Sequence, residues 1–118
     1  MTIEEQDGDS PLWGSWEKVV SFDPTKATVR PVISSQGSKA FIVGLEPGQQ
    51  LRSHPAPADL YLFVVQGSVT FTIADQVNAV NLGDCVLMKK GVPHAIYNSQ
   101  EARAAVLGVT LPLSTVSR

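Results

Sequence analysis

Two histidines, His54 and His94, are the residues of this 118-residue chain with the widest chemical reach. An imidazole can ligate a metal, move a proton near neutral pH or hold a ligand by hydrogen bonds. Alternate residues of a strand share a face, so His94, Ile96 and Asn98 would point the same way, as would Leu60, Leu62 and Val64. The two faces sketch an apolar interior with a few convergent polar groups, the usual character of a small-molecule site. His54, Leu60, Leu62, His94, Ile96 and Asn98 are its candidate lining. The same pattern also describes a filled core, since small barrels are packed by side chains. Asn98 likewise fits a strand-end residue that caps backbone groups.

The remaining reactive groups carry less. Cys85 has no nucleophile signature around it and reads as a small buried hydrophobe on a strand. Lys89 and Lys90 beside Gly91 read as a solvated turn before they read as an anion site. No phosphate loop, Ser-His-Asp order or dinucleotide fingerprint is present.

The elements that must position these residues are short strands divided by turn residues. Phe41, Val43 and Leu45 alternate with Ile42 and Gly44, and Glu46-Pro47-Gly48 then turns the chain. The continuous apolar run Leu60 to Val65 reads as a strand buried on both faces. Val69, Phe71 and Ile73 alternate in the next strand, a hairpin connection follows at Ala74 to Gln76, and Val77 to Leu82 pairs back. Cys85 to Met88, His94 to Asn98 and Ala104 to Leu111 complete a set of about nine or ten strands at the spacing of a sandwich or barrel. The fold class is therefore all-β. Ahead of this, residues 1–11 read as a flexible polar segment, and Leu12, Trp13 and Trp16 as a first strand over the barrel or a dimer contact. A single domain over 12–118 is expected.

Composition narrows the function classes. A net charge of −2 argues against a nucleic-acid partner, which needs clustered excess Lys and Arg. The acidic start, Met1 to Ser10, is the opposite of a secretory signal, and no apolar stretch approaches a membrane span. One cysteine excludes an intramolecular disulfide framework and suits a reducing cytosol. A cytoplasmic protein with no membrane partner is expected.

Two stretches resemble the paired motifs of the cupin superfamily. The first motif is matched by Gly48, then His54 after five residues, and by Gly67 at its end. Its second histidine position holds Ala56 and its glutamate position Leu60. The second motif is matched by Gly83, Gly91, His94 and Asn98, with Lys89 where the motif has proline. The resemblance, from Gly48 to Asn98, implies an antiparallel jelly-roll barrel, a double-stranded β-helix, of the small single-domain kind. In such barrels three histidines and one glutamate hold a divalent metal. Here the resemblance leaves His54 and His94 alone as metal positions, and two neutral imidazoles are a poor site for iron or manganese. Asp59 could supply an oxygen donor, but alternation beside inward-facing Leu60 points it to the other face. Pro55 and Pro57 favour extended backbone at His54 and Ala56, on the barrel rim. No tightly held metal is expected, and at most a weakly bound divalent ion (Ni, Zn, Fe or Mn) on His54 and His94.

Three functions are consistent with these residues. The leading one is a barrel that binds an unidentified small molecule without a complete catalytic metal site. A metal-dependent oxygenase or isomerase using His54 and His94 is the second. The third is a structural or interaction role as a homodimer, with Trp13, Trp16, Tyr61 and Phe63 at the partner surface.

Overall fold

A computed structural model describes residues 11–53, 55–56 and 58–111. His54, Pro57 and both chain ends therefore lie outside the described residues. A four-residue helix, α1 (Trp16–Val19), precedes nine strands: β1 (Thr28–Ser34), β2 (Lys39–Leu45), β3 (Gln50–Ser53), β4 (Leu60–Gln66), β5 (Ser68–Ile73), β6 (Gln76–Asn81), β7 (Cys85–Met88), β8 (His94–Tyr97) and β9 (Ala104–Thr110). The strands form a five-stranded sheet of order β1-β2-β9-β4-β7 and a four-stranded sheet of order β3-β8-β5-β6. Every strand pair is antiparallel. The jelly-roll architecture implied by the motif resemblance is the observed one.

The N-terminal reading needs correction. Trp16 opens a helix rather than belonging to a first strand, because Trp16 and Val19 are spaced to share a helical face while Glu17 and Lys18 stay exposed. Trp13 is 86% exposed.

The core lies between the two inner faces. Rows of paired residues cross the larger sheet: Val29, Val43, Val106 and Val64 in one, Pro31, Phe41, Gly108, Leu62 and Val86 in the next. Leu62, Val64, Met88 and Val106 meet Val69, Phe71, Val80 and Ile96 of the smaller sheet in one cluster. Gly108 makes room for this packing, since a Cβ there would run into the Phe41 ring. The motif glycines Gly48, Gly67, Gly83 and Gly91 all have positive φ, which explains why the motif spacing is set by glycine. At Gly67 (φ +70°) a Cβ would also press on the Arg103 carbonyl.

The barrel has two unlike ends. At one, the β2–β3 turn meets the end of β8, and Arg103 makes a bidentate ion pair with Glu46 at 3.0 and 3.1 Å while its guanidinium lies over the Phe22 ring. At the other, the end of β3 pairs with His94, and Leu60 pairs with both Met88 and Thr110. No helix among the described residues is long and apolar enough to cross a membrane.

Candidate functional site

The end where β3 meets the start of β8 gathers the residues with chemical potential. His94 is the first residue of β8, opposite Ser53 on one side and Ile73 on the other. It is 9% exposed, and its Nδ1 lies 3.2 Å from the Val92 carbonyl. In that contact Nδ1 donates, and in the neutral ring the lone pair then belongs to Nε2. Ala56 sits beside this strand entrance, its carbonyl accepting from the Gly91 amide at 2.8 Å. The residue is 5% exposed. Leu60, 8% exposed, is part of the central apolar cluster.

The other predicted lining residues divide clearly. Leu62 and Ile96 are buried members of the same cluster, packed with Phe71 and Val64. Asn98 keeps the inward parity of His94 and Ile96 but stands one residue beyond β8, fully buried at the closed end. Its Nδ2 donates to the Leu45 carbonyl at 3.1 Å and the Ala102 carbonyl at 2.9 Å, and its Oδ1 accepts from the Gln100 amide at 3.0 Å. Both amide hydrogens are thus committed to backbone, which is the strand-end capping role. His94 and Asn98 therefore stand at opposite ends of one strand. His54 lies outside the described residues.

Asp59 is not a spare metal ligand. Its Oδ1 accepts from the Lys90 amide at 2.9 Å and its Oδ2 lies 3.5 Å from the Lys89 ammonium. The Lys90 amide, and after it the Lys89 charge, hold this carboxyl below its ordinary pKa despite some opposing desolvation. The carboxylate faces the β7–β8 turn. Cys85 departs from expectation. It is exposed, because it pairs with Phe63 on the outer face of the larger sheet at the edge strand β7.

Two depressions border the barrel. One of about 370 Å³ is lined by Val29, Pro31, Lys39 and Phe41, where Val29 and Phe41 lie in the same cross-strand rows as buried Val43 and Leu62. It is apolar apart from one ammonium. A second, of about 250 Å³, is lined by Arg52, Thr72, Ala74, Pro93, His94 and Ala95, of which Arg52, Ala95 and Thr72 form a cross-strand row on the face of the smaller sheet opposite to the core residues Phe71 and Ile96. Neither follows from sequence patterning. The first depends on the β1–β2 register, which shifts between Pro31 and Ile33, and β1 carries no alternation strong enough to announce it.

Among the described residues no group of three His, Cys, Asp or Glu side chains is gathered as a metal site would need. The four ligand positions implied by the resemblance hold His54, Ala56, Leu60 and His94. Two hydrocarbon side chains at these positions do not fit the family metal.

The fold and motif positions define a small antiparallel β-barrel protein of the jelly-roll class. Residues 41–110 match the family model described as the cupin domain, and the chain belongs to that family. No curated protein matches the sequence. Among solved structures, the chain is similar to an uncharacterised double-stranded β-helix protein of Klebsiella pneumoniae, at 21% identity and a TM-score of 0.79, covering 90% of this chain and 93% of that one. It is also similar to a protein of Thermus thermophilus, at 22% identity and TM-score 0.77, covering 84% and 95% respectively. A third is the Cupin_2 domain of an XRE-family transcriptional regulator from Enterobacter cloacae, at 20% identity and TM-score 0.67, covering 72% and 95%. At such identities the likeness is one of fold.

Proposed function

We propose that this cupin binds a small molecule at the inner surface of its barrel and does so without the family's catalytic metal. The observation that carries the proposal is the pair Ala56 and Leu60, buried apolar groups at two ligand positions inside an otherwise intact motif frame. The roughly 370 Å³ depression supports it, being within the size range of small-molecule sites and mostly apolar, with Lys39 at its rim. The ligand class this favours is a small apolar molecule carrying one anionic group. A cytoplasmic location belongs to the same reading and is supported by the single unpaired cysteine.

A second reading, a metal-dependent enzyme, is favoured by one observation. Ligating histidines commonly donate their other ring N–H to a backbone carbonyl, and His94 Nδ1 does this to Val92. Elemental mass spectrometry of untagged protein after mild dialysis separates the two. Substoichiometric iron, manganese, nickel and zinc is expected. Near one equivalent of any of them, lost in both His54→Ala and His94→Ala, would overturn the metal-free reading. Binding itself is tested by amide shift mapping with small aromatic and aliphatic carboxylates. Perturbations should cluster on Val29, Lys39 and Phe41, and a complete lack of response across both series would sink the ligand site.

A further inference from the structure

The two sheets have four edge strands, β1, β7, β3 and β6, and three of them carry features that discourage strand addition. Strand β1 has Arg30, Pro31 and a register shift between Pro31 and Ile33. Strands β3 and β7 are four residues long, and β3 bears Arg52. Strand β6, Gln76–Asn81, is six residues long, pairs with β5 without a register shift, and contains no charge and no proline. Asp75 is the one charged residue between Ser68 and Leu82.

The pattern of open backbone groups on β6 can be worked out. The hairpin turn is the two residues Ala74 and Asp75, so Ile73 and Gln76 form its closing hydrogen-bonded pair. Alternation then turns Gln76, Asn78 and Val80 toward β5 and Val77, Ala79 and Asn81 away from it. Asn81 verifies this parity, since its outward amide donates to Asp84 Oδ2 at 2.9 Å and its carbonyl accepts from the Asp84 amide at 2.8 Å. The N–H and C=O groups of Val77 and Ala79 are the outward ones left. Among the described residues none of these four has a partner, and Val77 is 68% exposed.

We propose that β6 is a self-association edge whose occupant is the β6 strand of a second copy of this chain, antiparallel across a two-fold axis at Asn78. In that register Val77 faces the second copy's Ala79, and each outward N–H meets a carbonyl. The four open groups of each strand are then satisfied by complementarity of partial charge, with no ionic group to desolvate. Asn78 stands opposite its own copy, and the two four-stranded sheets become one continuous sheet.

The test is sedimentation of the full chain over a micromolar concentration series, with variants in a Cys85→Ser background. The wild-type chain should sediment at twice the 12.6 kDa of one protomer. Asn78→Lys places two ammonium groups directly opposite each other and should weaken the dimer by about tenfold or more, while the far-ultraviolet circular dichroism stays that of the wild-type fold. Mild oxidation of Asn78→Cys should give a disulfide dimer, because a non-hydrogen-bonded antiparallel pair brings Cα atoms to about 4.5 Å. Gln76→Cys, offset from its own copy, should not cross-link. A chain that stays monomeric overturns the proposal. So does a dimer that survives Asn78→Lys and fails to cross-link through Asn78→Cys, and dissociation by Tyr61→Glu would then assign the outer face of the larger sheet instead.

Discussion

At the scale of single residues, the site positions and the structural positions separate. Asn98 looks functional in the sequence because it closes the second motif, yet both its amide hydrogens serve the backbone at the closed end. Asn98→Ala leaves two carbonyls, Leu45 and Ala102, without their donor. That should cost about 2–4 kcal/mol and lower the melting midpoint by roughly 10 °C. Calorimetry checks this, and an unchanged midpoint would mean the capping role is wrong. Asp59 gives a pH-dependent counterpart. Its folded pKa is depressed, so the unfolded chain binds the proton more readily. The stability it supplies is present above the ordinary carboxylate value, about 3.9, and is lost as pH falls through its lower folded value. Denaturation curves between neutral and strongly acidic pH should therefore converge for wild type and Asp59→Asn at the acid end. At neutral pH the variant should be the less stable of the two.

At the scale of elements, alternation makes most strands readable. Phe41, Val43 and Leu45, or Val69 and Phe71, announce their faces because one face is buried and the period is two. In β4 the continuous apolar run reads as buried on both faces, whereas only the face of Leu60, Leu62 and Val64 is buried and Tyr61, 37% exposed, faces outward. What stays hidden is set by contacts between distant segments. Cys85 is polar enough for either face, and only its pairing with Phe63 on an edge strand puts it outside. The Trp16 helix is hidden because four residues hold too little periodicity to tell from a strand end. The flank cavity depends on a register shift in β1 that leaves no local trace. The β5–β6 hairpin carries its own signature: Ala74 at its tip has φ +56°, a region that suits glycine. Ala74→Gly should raise stability by about 0.5–1 kcal/mol, the relief of the Cβ clash outweighing the added freedom of the unfolded chain. Chemical denaturation measures it, and destabilisation would show that the turn tolerates Ala without strain.

At the scale of the whole molecule, one apolar cluster holds two sheets whose ends do different work. The closed end is a set of bonds: Asn98 to the β2–β3 turn, and Arg103 to Glu46 and Phe22. The other end presents His94 at the start of β8, with Arg52 beside it in a shallow depression. The Asn98 latch also has a place in time. It joins Leu45 to a residue 53 positions later, and its backbone pairs with Gln49 and Gly48 in the same turn. None of these bonds can form until β2, β3 and β8 have met, and a latch built of such long-range contacts is expected to close late in folding. In a chevron, Asn98→Ala should therefore leave the refolding arm nearly unmoved and raise the unfolding arm by almost the whole loss in stability. The residue that closes the family's second motif would then govern how long the folded barrel lasts rather than how quickly it is made.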